Sequence, residues 1–225
     1  MSRPLYPEAG PGADERRSPG WPARLGALKV PAGEVRLRPL LYRDGRAWRK
    51  LRLRDREYLR RWEPNAPGTW EERHGVMSWP TQWFGLRTLG RRGLCLPFAL
   101  TIDGEFAGQL TIGNIIRASL RSAWVGYWVD SARASGGAAT AAVALAADHA
   151  FAHAGLHRLE ATVRPDNVAS VRVLTKLGFR KEGLFERYLD VDGAWRDHLC
   201  FAMTAEETGS GLAARLVDAG KAEYI

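Results

Sequence analysis

The feature that most limits what this chain can become lies near its middle, where three signals follow one another without a gap. Ala123 to Val129 reads as a strand carrying Trp124, Tyr127 and Trp128. Ser135-Gly136-Gly137 then forms a glycine turn, and Ala138 to Ala154 follows as an alanine-rich helix with Val143, Ala147, Ala150, Phe151 and Ala154 on one face. Alanine has the highest helix propensity, and its small side chain lets a helix lie close to a sheet. Glycines permit backbone angles that other residues resist, and the free N–H groups at a helix start bind phosphate. A strand, a glycine turn and a buried helix therefore predict a mixed α/β fold with an anion-binding turn. The six-residue glycine spacing of a dinucleotide fingerprint is missing, as is the Gly-Lys-Ser/Thr ending of a triphosphate loop.

The flanking segments fill in one sheet. Glu34 to Leu40 alternates, with Val35 and Leu37 on one side and Arg36 and Arg38 on the other. Asp103-Gly104 joins strands Phe98–Ile102 and Phe106–Ile112, and Asp192-Gly193 joins Tyr188–Val191 to Trp195–Met203. Both dipeptides are hairpin cues. His157 to Arg164 alternates again; Asn167 caps a helix carrying Val171, Leu174 and Leu177, and Gly178 ends it. Between residues 43 and 61, Trp48, Leu51, Tyr58, Leu59 and Trp62 recur at near-helical spacing, which predicts buried aromatics and exposed arginines. The expected organisation is an extended N-terminal segment over 1–33, one domain over 34–205, and a polar C-terminal tail over 206–225 with a short helix.

Composition removes several classes. No run of eighteen apolar residues exists, so a membrane span is not expected. The first twenty residues lack the apolar stretch of a secretory signal, and the expected location is the cytoplasm. Cys95 and Cys200 are far apart and read as buried hydrophobes; His149, His153 and His157 lack metal-ligand spacing, so no metal is expected. His198, beside Asp197, reads as a strand-orienting residue. The formal charge of +8 favours anionic partners. Nine Lys or Arg against three acids over 43–61 leave nucleic-acid contact open as a secondary role, with a solvated helix face as the plain alternative.

The block from Tyr127 to Met203 resembles the GNAT superfamily of N-acetyltransferases, and within it the branch that acetylates ribosomal-protein N-termini. The resemblance rests on Tyr127-Trp128-Val129-Asp130, the run Ala134 to Ala139, Arg164 to Ser170, Lys176 to Arg180 and Asp192 to His198. It implies the acyl-CoA N-acyltransferase fold, a single, mostly antiparallel twisted sheet flanked by helices, and acetyl-coenzyme A as cofactor. The family's pyrophosphate loop fits in two registers. One uses Arg133, Gly136 and Ala138. The other, preferred for its distance from Tyr127-Trp128, uses Gly137 and Ala139 and leaves Ala134 and Ser135 at positions where the branch usually has other residues. The resemblance further implies cofactor contacts from Trp128, Val129 and Asn167. It gives Ser170 as the acid for the leaving thiolate, although Asn167 and Ser170 also serve a helix start. A catalytic glutamate of a related enzyme is matched by Leu189, so Glu186 and Glu160 are the substitute candidates for the base. Trp62, Trp70, Trp83 and Tyr127 are the candidates for the acceptor groove. The expected acceptor is a protein N-terminus beginning with Ala or Ser, ribosomal by resemblance, and the expected state is a monomer. A small-molecule amine acetyltransferase and a noncatalytic ribosome- or RNA-binding module are the competing readings.

Overall fold

All seven residues of Leu96–Ile102 are buried, so both faces of this strand must be covered. Successive side chains of a strand point to opposite faces. Leu96, Phe98, Leu100 and Ile102 enter the large core on one side, while Ala99 joins a smaller cluster with Leu40, Trp48 and Trp79 on the other. The computed structural model, which describes residues 18–225, shows what supplies each cover.

The strands are β1 (Leu25–Val30), β2 (Gly33–Pro39), β3 (Leu96–Ile102), β4 (Glu105–Ile116), β5 (Ser122–Val129), β6 (Arg158–Val163), β7 (Arg180–Val191), β8 (Ala194–Thr204) and β9 (Glu223–Tyr224). They form one sheet in the order β7-β8-β6-β5-β4-β3-β2-β1-β9. Neighbours are antiparallel except β5 and β6, which run parallel. The expected mixed, mostly antiparallel sheet is what forms. Both hairpin cues hold: Asp103 and Gly104, like Asp192 and Gly193, have positive φ at both turn positions.

Helices α1 (Gly45–Arg54), α2 (Arg56–Arg60), α3 (Trp70–Arg73) and α4 (Ser78–Arg91) make one layer. On the other face lie α5 (Ala138–Ala152), α6 (Val168–Leu177) and α7 (Leu212–Asp218). Nine of the fifteen α5 residues are buried, seven of them alanines, because the helix is enclosed by the sheet on one side and α7 on the other. A helix apolar all round belongs in such a position.

Three expectations need correction. An extension through residue 33 does not describe the segment from Trp21 onward. Trp21 packs edge-on against Phe98 at 6.0 Å between ring centroids, and β1 pairs with β2 and β9. Gly26, at φ +94°, sits in a register shift between Leu25 and Leu28 that breaks the alternation a strand would show in sequence. Residues 1–17 lie outside the described residues. The C-terminal segment is likewise no polar tail: Leu212, Ala213 and Leu216 are buried, and Asp148 of α5 accepts the Leu212 and Ala213 N–H groups at 2.7 and 2.9 Å. Finally, the helix over 43–61 breaks at Asp55, leaves Tyr58 exposed and buries Arg52.

Candidate active site

The parallel pair β5–β6 stays joined only from Ser122↔Arg158 to Trp124↔Glu160. Beyond that point β5 follows β4 as far as Val129↔Gly108, and β6 follows β8 as far as Val163↔Leu199. The sheet splits between them. The amide groups of Val125–Val129 that β4 does not use are left without a strand partner, and a cleft of ≈ 790 Å³ occupies the gap. Backbone N–H and C=O groups on such an edge seek partners, and an extended, amide-containing ligand supplies them.

Strand alternation gives this cleft two mouths. Val125, Tyr127 and Val129 face the α5–α6 layer, whereas Trp128 faces the α1–α4 layer. At the first mouth stands the glycine turn. Gly137 is the left-handed N-cap of α5, at φ +86°. The first helical bond there is Ala141 N–H to the Gly137 carbonyl, so the N–H groups of Ala138, Ala139 and Thr140 have no helical acceptor. All three residues border the cleft with Ala134, Ser135 and Gly137. Together they form an anion site of backbone donors at the positive end of a helix.

Gly136 serves another purpose. Its carbonyl accepts the Ala32 N–H at 2.9 Å, and a Cβ at Gly136 would stand 2.6 Å from that of Ala32. It packs the turn against the β1–β2 hairpin and does not border the cleft, whereas Arg133 and Ala138 of one register and Gly137 and Ala139 of the other do. Arg133 borders the cleft and lies 3.4 Å from Asp103.

The entry to this turn is clamped from the opposite layer. Asp55 accepts the Ser131 N–H at 3.0 Å and its hydroxyl at 2.7 Å, while Arg54 forks onto Asp55 at 2.7 and 2.8 Å and also pairs with Asp130. Burial opposes the charge on Asp55, but the bonds from Arg54 and Ser131 outweigh it and hold the carboxyl below its usual range.

Asn167 and Ser170 both border the cleft. The Asn167 Oδ1 accepts the Ser170 N–H at 3.2 Å, a cap that uses the Ser170 backbone and not its hydroxyl. Nearby, the Tyr127 hydroxyl is buried and makes no well-formed hydrogen bond among the described residues, although it lies close enough to the Ser170 hydroxyl to interact with it. Burial pushes its pKa up to about 12, against a smaller opposing influence of Ser170. A neutral phenol and a hydroxyl thus stand on the α5–α6 side of the gap.

The second mouth is built from side chains. Arg52 lies 4.9 Å from the Trp70 ring and 5.2 Å from that of Trp128, donates Nε–H to His74 Nε2 at 2.9 Å, and pairs with Glu63. His74 in turn donates Nδ1–H to the Trp70 carbonyl at 2.7 Å. A guanidinium only donates and a carbonyl only accepts, so His74 is neutral. Its pKa is lowered, first by burial, in agreement. Trp62 lies beneath two guanidiniums, Arg61 at 4.5 Å and Arg164 at 5.2 Å. Asn65 then ties this loop to β7 through the Asp190 carbonyl and carboxylate, each at 2.8 Å.

Of the acceptor candidates, Trp62 and Tyr127 border the cleft. Trp70 and Trp83 do not: the indole N–H of Trp70 bonds the Arg52 carbonyl at 2.8 Å and that of Trp83 bonds the Leu40 carbonyl at 3.0 Å, so both brace the helical layer. The two carboxylate candidates are also displaced. Glu160 pairs with Arg158 at 2.7 Å beside the still-joined part of β5–β6, and Glu186 projects from an exposed bulge of β7; neither borders the cleft. Sequence reasoning missed Arg52, Gln109 and His198, which do. For Arg52 a signal existed, since it lies four residues after the buried Trp48 on the same helical face. His149 belongs to the core, donating Nε2–H to the Gly20 carbonyl at 2.8 Å.

Comparison with known proteins agrees with this geometry. Residues 34–180 match the family model described as an acetyltransferase (GNAT) domain. The structure of Mycobacterium smegmatis RimJ in complex with CoA-disulfide superposes with a TM-score of 0.91 at 56% identity, covering 92% of this chain and 99% of that one. The [ribosomal protein uS5]-alanine N-acetyltransferase of Escherichia coli is 28% identical over 198 residues, 84% of this chain and 97% of its own length. The probable N-acetyltransferase YjcK of Bacillus subtilis is 42% identical over 101 residues, a match spanning 45% of this chain and 56% of that protein.

Proposed function

Starting from a chain that belongs to the GNAT acetyltransferase family and takes its acetyl group from acetyl-coenzyme A, we propose that the acceptor is the α-amine of a protein N-terminus, a ribosomal protein beginning with alanine or serine. The observation that carries this reading is the cleft through the sheet. Coenzyme enters from the α5–α6 face, with its diphosphate on the Gly137–Thr140 donors and its pantetheine amides along Val125–Val129. The opposite mouth remains open to a macromolecule. Similarity over most of the chain to proteins named for ribosomal-protein acetylation supports the acceptor class.

The chemistry follows from the placement. The amine attacks the thioester carbon, and the developing oxyanion is stabilised by backbone donors of the open β5 edge. The departing thiolate takes a proton from the hydroxyl pair of Ser170 and Tyr127. The acceptor mouth is walled by Trp62, Trp124 and Trp128, which favours a small first residue. Mass spectrometry after incubation with acetyl-coenzyme A tests the reading. Synthetic peptides starting with Ala or Ser gain one acetyl group on the α-amine, and peptides with large first residues react more slowly. Acetylation confined to polyamines, free amino acids or aminoglycosides would refute it.

A further inference from the structure

The reaction needs a group that removes the proton of the incoming ammonium, and neither Glu160 nor Glu186 reaches the cleft. One side chain on the acceptor side has the required chemistry. His198, on β8, is 3% exposed and borders the cleft. Its neighbours Leu199 and Phe201 follow the alternation of β8; Phe201 enters the core on the α5–α6 side and Leu199 packs against it, so His198 faces the acceptor layer. The last β6–β8 pair is Val163↔Leu199, and His198 therefore sits where β6 has ended and the gap begins.

Its tautomer is set by a single contact. Nδ1 lies 3.0 Å from the Arg196 carbonyl oxygen, which only accepts, so Nδ1 carries a proton and the neutral ring presents its lone pair at Nε2. No described residue donates to that lone pair. Tyr188 of β7 supports the ring edge-on, 5.7 Å between centroids.

The other ionisable groups of this mouth are engaged elsewhere. Arg52 is a cation held between two indoles. Glu63 has one carboxylate oxygen on Arg52 and the other 3.5 Å from Arg73. Tyr58 is a neutral phenol whose pKa is raised by burial. Asp166 is forked by Arg164 at 3.0 and 2.6 Å.

We propose that Nε2 of His198 is the base that takes the proton from the acceptor amine, an inference that rests on the acetyl-transfer reading of the same cleft. The ammonium N–H bond breaks as the proton passes to Nε2, and the resulting imidazolium keeps its bond to the Arg196 carbonyl. The freed nitrogen pair forms the C–N bond to the acetyl carbon. The C–S bond then breaks, its electron pair leaves on sulfur, and the thiolate takes a proton from the Ser170–Tyr127 side. The second N–H proton of the newly acylated nitrogen passes to solvent in the cleft, and a solvent proton restores the hydroxyl. His198 returns its proton to solvent through the acceptor mouth.

Two variants test this, each assayed on whichever acceptor the wild-type protein acetylates. His198→Asn retains an amide N–H for the Arg196 carbonyl but has no basic nitrogen. Its turnover falls about 100-fold or more, the lower end of what a positioned base contributes, while the KM for acetyl-coenzyme A and the thermal midpoint stay near wild type. His198→Ala opens a space, and added imidazole raises its rate in proportion to concentration. An Asn variant within threefold of wild-type turnover, a loss tracking a rise in the coenzyme KM, or an Ala variant indifferent to imidazole would each overturn the proposal. If wild-type protein ignores peptides and acetylates a small amine instead, the acceptor assignment fails while His198 is still scored on that amine.

Discussion

The two mouths of the cleft are made of different material. The coenzyme mouth is backbone: the N–H groups of residues 138–140, presented by a left-handed Gly137 and aimed by a helix start. The acceptor mouth is side chain: Arg52, Trp62, Trp128 and His198 come from α1, the loop after α2, β5 and β8. A backbone site depends on one turn's conformation and tolerates most side-chain changes. A side-chain site depends on every segment that delivers a member. The coenzyme mouth should therefore fail through backbone strain, and the acceptor mouth through packing.

The largest effect is expected at Arg52. Replacing it with alanine leaves the buried His74 Nε2 without its donor and the part-exposed Glu63 with Arg73 alone, a loss of about 3 kcal/mol in folding stability, measurable by urea denaturation. The same protein, where folded, should bind coenzyme normally and acceptor poorly. A coenzyme affinity that falls as far as acceptor affinity would dissolve the distinction between the mouths.

Gly137→Val reverses the pattern. A β-branched residue at φ +86° is strained by about 1–3 kcal/mol, and relieving that strain turns the donors away from the diphosphate. Coenzyme Kd by calorimetry should rise roughly 5- to 150-fold, with the acceptor mouth unaltered. An unchanged Kd in a folded protein would remove the backbone site.

Asp55 joins the two mouths, and its effect is intermediate. Asp55→Asn weakens the bonds to Arg54 and Ser131 at a cost of about 1.5 kcal/mol near neutrality. The carboxyl's folded pKa is depressed, so its contribution is complete above the unfolded value and disappears as pH falls through the lowered folded value. Thermal melts of the two proteins should differ at pH 7 and converge in acid below the usual aspartate range. A gap that widens on acidification contradicts the assigned sign.

Tyr127→Phe has the smallest effect on folding. Removing a buried hydroxyl whose sole contact is a poorly formed one with Ser170 is expected to change stability by less than about 0.5 kcal/mol, in either direction. Turnover should nevertheless drop several-fold, and further in combination with Ser170→Ala. Equal turnover would take the phenol out of thiolate protonation.

Most of the fold was legible because its signals are local. Alternation marks β2 and β6, Asp-Gly marks the two hairpins, and Asn167 with Gly178 brackets α6. β1 escaped notice because Gly26 shifts its register, and most of β7 because it is an edge strand with little to bury, so its residues need not alternate. Part of the cleft lining was legible in the same way. Gly137, Ala139, Asn167 and Ser170 sit beside a helix start that sequence marks directly. Trp70 and Trp83 misled because a large aromatic signals burial without saying where. Glu160 and Glu186 were chosen for their charge, which says nothing of the direction their strands would turn them.

The sequence alone determined the glycine turn, the alanine helix behind it and the strand in front, since each depends on backbone preference within a few residues. It also determined that a phosphate-bearing ligand had donors to meet. Tertiary structure decided where β5 and β6 part, which faces Arg52 and His198 occupy, and that β1 and β9 extend the sheet beyond β2. Those outcomes follow from which strand pairs with which neighbour across long stretches of chain, and pairing is settled by the burial of whole faces.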